Sequence, residues 1–340
     1  MTSVCGLDGP LGLSIASHSG LAPARIGALA AAAETAGFSA VFVAEGHGDA
    51  IALCHPVVAA TRGIRVGTAV ANAALRPPVL AAKTAAQLDQ AAGGRFLLGL
   101  GVANAVMNSR FGIAPFPPLA MIEEYVAVVR AVLAGHAGHQ GTMFRTGRVP
   151  LDSPPVRPDL PVYLAALGPR MQELAGRIAD GVILNLMSPA QAGEAATAVR
   201  AAAAAAGRPP GSVEIVCVVH CCLSDNDHDA TAAAARAVVP RYVLHPAAAR
   251  LFGEQDGSVD LTAARQLVLA GDRAGAAAQV PQQVADAFVA HGDVTACLTR
   301  LQEYRAAGVD LPAAFPMPVG DRWGYEQLIA AVANVAPVMN

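Results

Sequence analysis

The chain is poor in charge and almost without lysine. Asp, Glu, Lys and Arg make up 14% of its 340 residues, and of 23 basic side chains only Lys83 is a lysine. The net charge of −3 leaves no basic excess for a polyanion, so nucleic acid is not the expected partner. No uninterrupted apolar run reaches the roughly 18 residues a membrane span needs, and none is expected. Met1–Pro10 has neither a basic flank nor an apolar centre. No secretory signal is read there, and a cytoplasmic location is expected. The six cysteines (Cys5, Cys54, Cys217, Cys221, Cys222 and Cys297) form no CxxC pair and no metal-ligand spacing. They are read as free thiols in a reducing compartment, with no metal site.

What is present is apolar: 54% of the residues, enough for a large core and against disorder. Strand-like runs alternate with amphipathic ones. Strands are predicted over 11–16, 40–44, 64–71, 96–100, 162–166, 182–186, 213–222 and 311–315. Helices are predicted from Pro23 to Gly37, over 56–61, 78–92, 119–133, 169–179, 189–206 and 284–307, and from Tyr325 to Val335. Pro at a first turn and Gly just past an end punctuate several of them. Two stretches break the rhythm: 136–160, read as an inserted loop or hairpin, and about 225–280, read as a helical insertion. Eight strands alternating with helices predict a parallel (β/α)8 TIM barrel, one domain over 1–340. Runs such as VFVA, FLLGL and GVILNL are apolar on both faces, as covered parallel strands are. A Rossmann sheet fits less well, because GLGVANA contains no GxGxxG.

In such a barrel chemistry sits at the carboxyl ends of the strands. Those positions hold His18, Glu45-Gly46-His47-Gly48-Asp49, Ala69-Val70-Ala71-Asn72, Gly99 to Asn104, Ala165 to Arg170, Asn185 and His220. Polar groups gather at strand ends while strand middles stay apolar, the arrangement of a site on a rigid scaffold.

Four stretches in order, "GFSAVFVAEGHGDA", "IRVGTAVAN", "PVLAAKTAAQLDQAAGGRFLLGLG" and "PVYLAALGPRMQELAGRIADGVILN", resemble the luciferase-like monooxygenase superfamily. More narrowly they resemble its coenzyme F420-dependent branch, which includes methylenetetrahydromethanopterin reductase. The resemblance runs closely over 11–205, weakly over 283–320 and hardly at all over 220–280. It implies a bacterial-luciferase-like barrel, an F420-dependent oxidoreductase and a homodimer paired through the helices after the second and third strands. It also implies a bulge with a non-prolyl cis peptide at Ala69-Val70, behind the central ring of the deazaflavin. Gly99, Gly101 and Asn104 would let backbone approach the ring and ribityl chain. Ala165, Ala166, Gly168 and Arg170 would seat the coenzyme phosphate at a helix N-terminus, and Asn72 is a further coenzyme or pocket residue. Glu45 would contact the deazaflavin edge or relay a proton, and His47 would act as acid or base. His18, Asn185 and His220 would line the substrate pocket.

The leading expectation is hydride transfer between deazaflavin C5 and a small imine, enone or carbonyl compound. The alternatives are an FMN- and oxygen-dependent monooxygenase, and a barrel with no coenzyme that binds or does redox-neutral chemistry. One departure bears on the substrate. Relatives that oxidise sugar phosphates hold the phosphate with lysines and an arginine. With one lysine, this chain lacks that set, and a less charged substrate is expected.

Overall fold

A computed structural model describes residues 9–152, 156–245, 247–254 and 257–335; Cys5 lies outside them. Eight strands form the barrel: β1 (Gly12–Ala16), β2 (Ala40–Ala44), β3 (Arg65–Thr68), β4 (Phe96–Gly101), β5 (Val162–Ala165), β6 (Gly181–Asn185), β7 (Glu214–Leu223) and β8 (Leu311–Val319). Each pairs in parallel with the next, and β8 pairs with both β7 and β1, which closes the cylinder.

Closure explains the unbroken apolar runs. Alternate residues of one strand face two different apolar layers. Leu97, Tyr163, Ile183, Val216, Val218, Ala313 and Phe315 fill the interior. Val41, Val66, Leu98, Leu164, Val182 and Ile215 pack outward beneath the helices. The interior layer continues into the insertion, through Val238, Val239, Val243, Phe252 and Leu261. The inserted segment therefore contributes these side chains to the barrel's core. It carries helices His228–Val238, Ala248–Leu251, Thr262–Leu269 and Arg273–Ala278, and a tight turn Val239–Arg241. The other inserted stretch carries a hairpin, His139–Gln140 against Arg145–Thr146.

Several expected boundaries move, β8 among them, which runs past 315 to Val319. The helix placed at 56–61 spans Ala50–Ala60: Asp49 caps it by accepting from the Ile51 and Ala52 amides, and Pro56 lies inside it. A Cβ on Gly27 would come within 2.8 Å of the Pro56 carbonyl oxygen, so the preceding helix packs closely just there. The single helix expected over 284–307 is two, Gln282–Phe288 and Val294–Ala306. Between them Val289–Gly292 adds a short strand beside the upper half of β7, and Asp293 caps the second helix. The strand expected over 64–71 stops at Thr68 and resumes as Ala71–Asn72. A short helix, Ala105–Arg110, was not anticipated after β4. No helix among the described residues is long and apolar enough to cross a membrane.

Candidate active site at the barrel mouth

On the β2–β4 side of the mouth Glu45, Asp49, Asn72, Arg76 and Asn104 are each answered by another protein group. Glu45 Oε2 accepts from the Asn72 amide at 3.2 Å and from Arg76 Nη1 at 2.9 Å, while Arg76 Nη2 lies 2.7 Å from Asp49 Oδ1. The Glu45 and Arg76 side chains are 9% and 10% exposed. Burial raises the Glu45 pKa, against the pull of Arg76. Burial also pushes Asp49 upward, but Arg76 and the capped amides outweigh it and hold that carboxyl below its usual range. Asn72 Oδ1 accepts from the Ala74 amide at 3.0 Å and its Nδ2 donates to Asn108 Oδ1 at 3.0 Å. Asn104 caps the helix Ala105–Arg110 through the Met107 amide at 2.9 Å.

The peptide bond between Ala69 and Val70 is cis. Thr68 Oγ1 donates to the Gly99 carbonyl at 2.6 Å and accepts from the Gly99 amide at 3.0 Å. A Cβ at Gly99 would stand 1.8 Å from the Thr68 carbonyl oxygen, and one at Gly101 would stand 2.6 Å from Val70 Cγ2. What comes close to these two glycines is the neighbouring strand of the protein itself.

At the end of β5 the situation reverses. Ala166 is tied to β6, its amide donating to the Ile183 carbonyl at 3.2 Å. Gly168 then opens the helix Pro169–Ile178 with no side chain capping it, and a Cβ on Gly168 would meet nothing within 4 Å. Arg170, in the first turn, is exposed and has no ion pair among the described residues. Arg250 reaches across from the insertion to donate to the Leu167 carbonyl. Two guanidinium groups and an uncapped helix N-terminus thus share one loop, a seat suited to an anion.

The β6–β7 side is incomplete. Asn185 Nδ2 donates to the Tyr242 hydroxyl at 3.2 Å, and that hydroxyl lies 3.1 Å from His220 Nε2. His220 is buried against Phe315, ring centroids 5.2 Å apart. Burial, with Arg241 nearby, pushes its pKa down to about 3, so the ring is neutral at physiological pH. Asn185 Oδ1 and His220 Nδ1 are buried with no hydrogen-bond partner among the described residues. Arg241 Nη1 is 3.5 Å from His18 Nε2. Burial and Arg241 also lower the His18 pKa. His18 stands edge-on to Trp323 at 6.0 Å and to the exposed His47 at 6.5 Å. Its ring lies over Gly46, where a Cβ would come within 2.6 Å of Nδ1.

A family model described as luciferase-like monooxygenase matches residues 10–311. The chain belongs to that family. It is 30% identical over 254 residues to 5,10-methylenetetrahydromethanopterin reductase of Archaeoglobus fulgidus, covering 73% of this chain and 76% of the relative. Among solved structures, the coenzyme F420-dependent tetrahydromethanopterin reductase of Methanopyrus kandleri superposes with a TM-score of 0.83 at 23% identity, over 96% of this chain and 98% of that one. An F420-dependent secondary alcohol dehydrogenase in complex with an F420-acetone adduct gives 0.78 at 20% identity, over 98% and 99%. At these identities the two structures speak to the fold.

Within this member of the luciferase-like family the residues marked in the sequence fall into three groups. Glu45, Asn72, Gly99, Gly101 and Asn104 are engaged by the protein. Ala165, Ala166, Gly168 and Arg170 form the open loop. His18, His47, Asn185 and His220 stand around the mouth. Sequence reasoning missed Arg76, Trp323, Arg241 and Tyr242. A buried carboxylate at position 45 called for a cation, and Arg76 is the arginine that follows the third strand. Tyr242 and Arg241 carried no signal, because 225–280 has no recognisable period.

Proposed function

We propose that the chain is an oxidoreductase that binds coenzyme F420 at the barrel mouth and transfers a hydride to or from a small carbonyl, imine or enone compound. The observation that carries this reading is the contrast within the mouth: an uncapped helix start with Arg170 and Arg250 on one side, and buried polar atoms without protein partners on the other. These donors fit a ligand with a phosphate and a polar reacting group. The naming of the 30%-identical relative as a reductase supports it. When bound, the deazaflavin supplies a two-electron carrier whose C5 gives or takes hydride.

The chain's own residues do the rest. The open loop at Gly168 and Arg170 holds phosphate. Arg76 pairs with both Glu45 and Asp49, one cation held between two carboxylates, and so fixes this side of the mouth. With both Glu45 oxygens facing Arg76, proton exchange falls to His47, exposed at the rim. Tyr242, its hydroxyl kept protonated by burial and spent between Asn185 and His220, holds those two side chains so that their open atoms, Asn185 Oδ1 and His220 Nδ1, orient the substrate's reacting group. Two copies would pair through helices Ala50–Ala60 and Pro78–Ala91, where Leu80, and Leu75 in the turn just before the second helix, are exposed apolar side chains.

The test is a parallel titration of the purified protein with F420 and FMN, followed by coenzyme fluorescence. Saturable binding of F420 and none of FMN is expected. Binding of reduced FMN with oxygen uptake would replace this reading with the monooxygenase one, and indifference to both would remove the redox role. Sedimentation of the same sample reports the dimer.

A further inference from the structure

Arg241 closes the turn Val239–Arg241 in the inserted segment, between Val239 and Pro240, which are buried, and Tyr242, which is hydrogen-bonded to Asn185 and His220. Its base is therefore fixed to the ends of β6 and β7. A guanidinium has five N–H donors and no acceptor. Among the described residues the one contact that uses any of them is His18 Nε2 at 3.5 Å, and no carboxylate there lies within ion-pairing distance. The acids of the mouth are already taken: Glu45 and Asp49 lie 2.9 Å and 2.7 Å from Arg76.

The atoms beside it carry the same message. Asn185 donates to the Tyr242 hydroxyl, so that hydroxyl's own proton goes to His220 Nε2, and the neutral ring keeps its hydrogen on Nδ1. That N–H and Asn185 Oδ1 are buried and unanswered. Such groups are costly unless something completes them. One cation, one N–H donor and one acceptor thus face the same mouth, and among the described residues no carboxylate pairs with that cation.

We propose that Arg241 binds a carboxylate of the substrate, so that the inserted helices make this barrel select anionic carbonyl or imine compounds over neutral ones. This rests on the redox reading above and names its substrate class. It also revises the expectation of a less charged substrate: where lysines are lacking, arginine from the insertion supplies the charge. The planar fork suits a carboxylate's two oxygens.

Trp323, the chain's single tryptophan, stands 6.0 Å from His18 and reports on the mouth by its own fluorescence. The full-length protein is titrated with benzoate and hexanoate and with their neutral amides, each with and without F420, in a buffer free of phosphate. The carboxylates are expected to bind at least about tenfold tighter than the amides, equivalent to about 1.4 kcal/mol. Arg241→Gln should bring the two into line, Arg241→Lys should keep part of the preference, and F420 affinity should stay at the parent level in both. Equal binding of acids and amides by the parent, no binding of either acid, or a preference that survives Arg241→Gln would overturn the proposal. So would loss of F420 affinity in Arg241→Gln, which would give this arginine to the coenzyme. If F420 fails to bind while the carboxylate preference persists and depends on Arg241, the redox reading falls and the anion site stands.

Discussion

The two sides of the barrel mouth are built from the same kinds of residue and treated in opposite ways. On the β2–β4 side, Glu45, Asp49, Asn72, Arg76, Asn104 and Asn108 spend their side-chain groups on one another and on backbone. On the β6–β7 side, Asn185 and His220 keep buried atoms without partners, and Arg241 keeps most of its donors. Position at a strand end is common to both, so position alone does not mark a group that meets a ligand. The remaining hydrogen-bonding capacity does. The saturated side fixes a floor, and the unsaturated side is left for what binds.

The comparison can be broken most directly at Arg76. Arg76→Ala would leave Glu45 and Asp49 facing each other with no cation, Glu45 being only 9% exposed. Removing one partner of a buried pair typically costs about 3–5 kcal/mol, and urea denaturation should register a loss of that order. A loss near zero would mean that this side is not a fixed floor. Next in size is a pair of glycines. Gly99→Ala puts a Cβ into the Thr68 carbonyl and should destabilise by about 1–3 kcal/mol, the usual cost of overpacking. Gly168→Ala enters open space and should leave stability within about 0.5 kcal/mol, while weakening F420 in the coenzyme titration.

Much of the frame was legible for a plain reason. A parallel strand covered on both faces must be apolar throughout, and β2, β4 and β6 are. Pro23, Pro78, Pro169 and Pro189 each open a helix where expected, since proline's missing N–H is unused in the first turn. Pro56 misled because the same residue sits inside a helix whose start is set by Asp49, five positions after the end of β2 in a loop already read for chemistry. The strand Val289–Gly292 was hidden because it is short and lies between two helices with a common apolar pattern. In the site, residue types at strand ends were readable, but their engagement was not. Whether Glu45 is free depends on Arg76, 31 residues further on. Whether His220 is complete depends on Tyr242, in a segment with neither period nor resemblance.

Smaller effects sharpen the unsaturated side. Tyr242→Phe removes the hydroxyl between Asn185 and His220 and should cost about 1 kcal/mol of stability. It should also raise KM for the substrate more than it changes F420 affinity. His220 gives that side a pH signature. The folded state keeps it unprotonated down to about 3, whereas the unfolded chain takes up the proton near 6.5. The unfolded state therefore binds more protons in that window, and the contribution is complete above pH 6.5 and lost as pH falls toward 3. His18 and His245, also lowered by burial, act in the same direction, so His220→Asn should reduce this slope without abolishing it.

The smallest effect belongs to a saturated group away from the mouth. Glu124 accepts from Thr142 Oγ1 at 2.6 Å and from the amides of Thr142, Met143 and Phe144 at 2.9, 2.8 and 3.0 Å. The Thr142 hydroxyl foremost, then the amides, hold its pKa down at about 2, against an unfolded value of 4.5. Stability from this clasp is complete above pH 4.5 and disappears as pH falls toward 2, a window below most of that of His220. Glu124→Gln should leave the denaturation midpoint where it is, because the clasp holds only the inserted hairpin. Hydrogen exchange at the amides of 142–144 should quicken, and exchange in β1–β8 should not. If the variant instead loosened the barrel strands, the division between a closed frame and its attached loops would be wrong at this point.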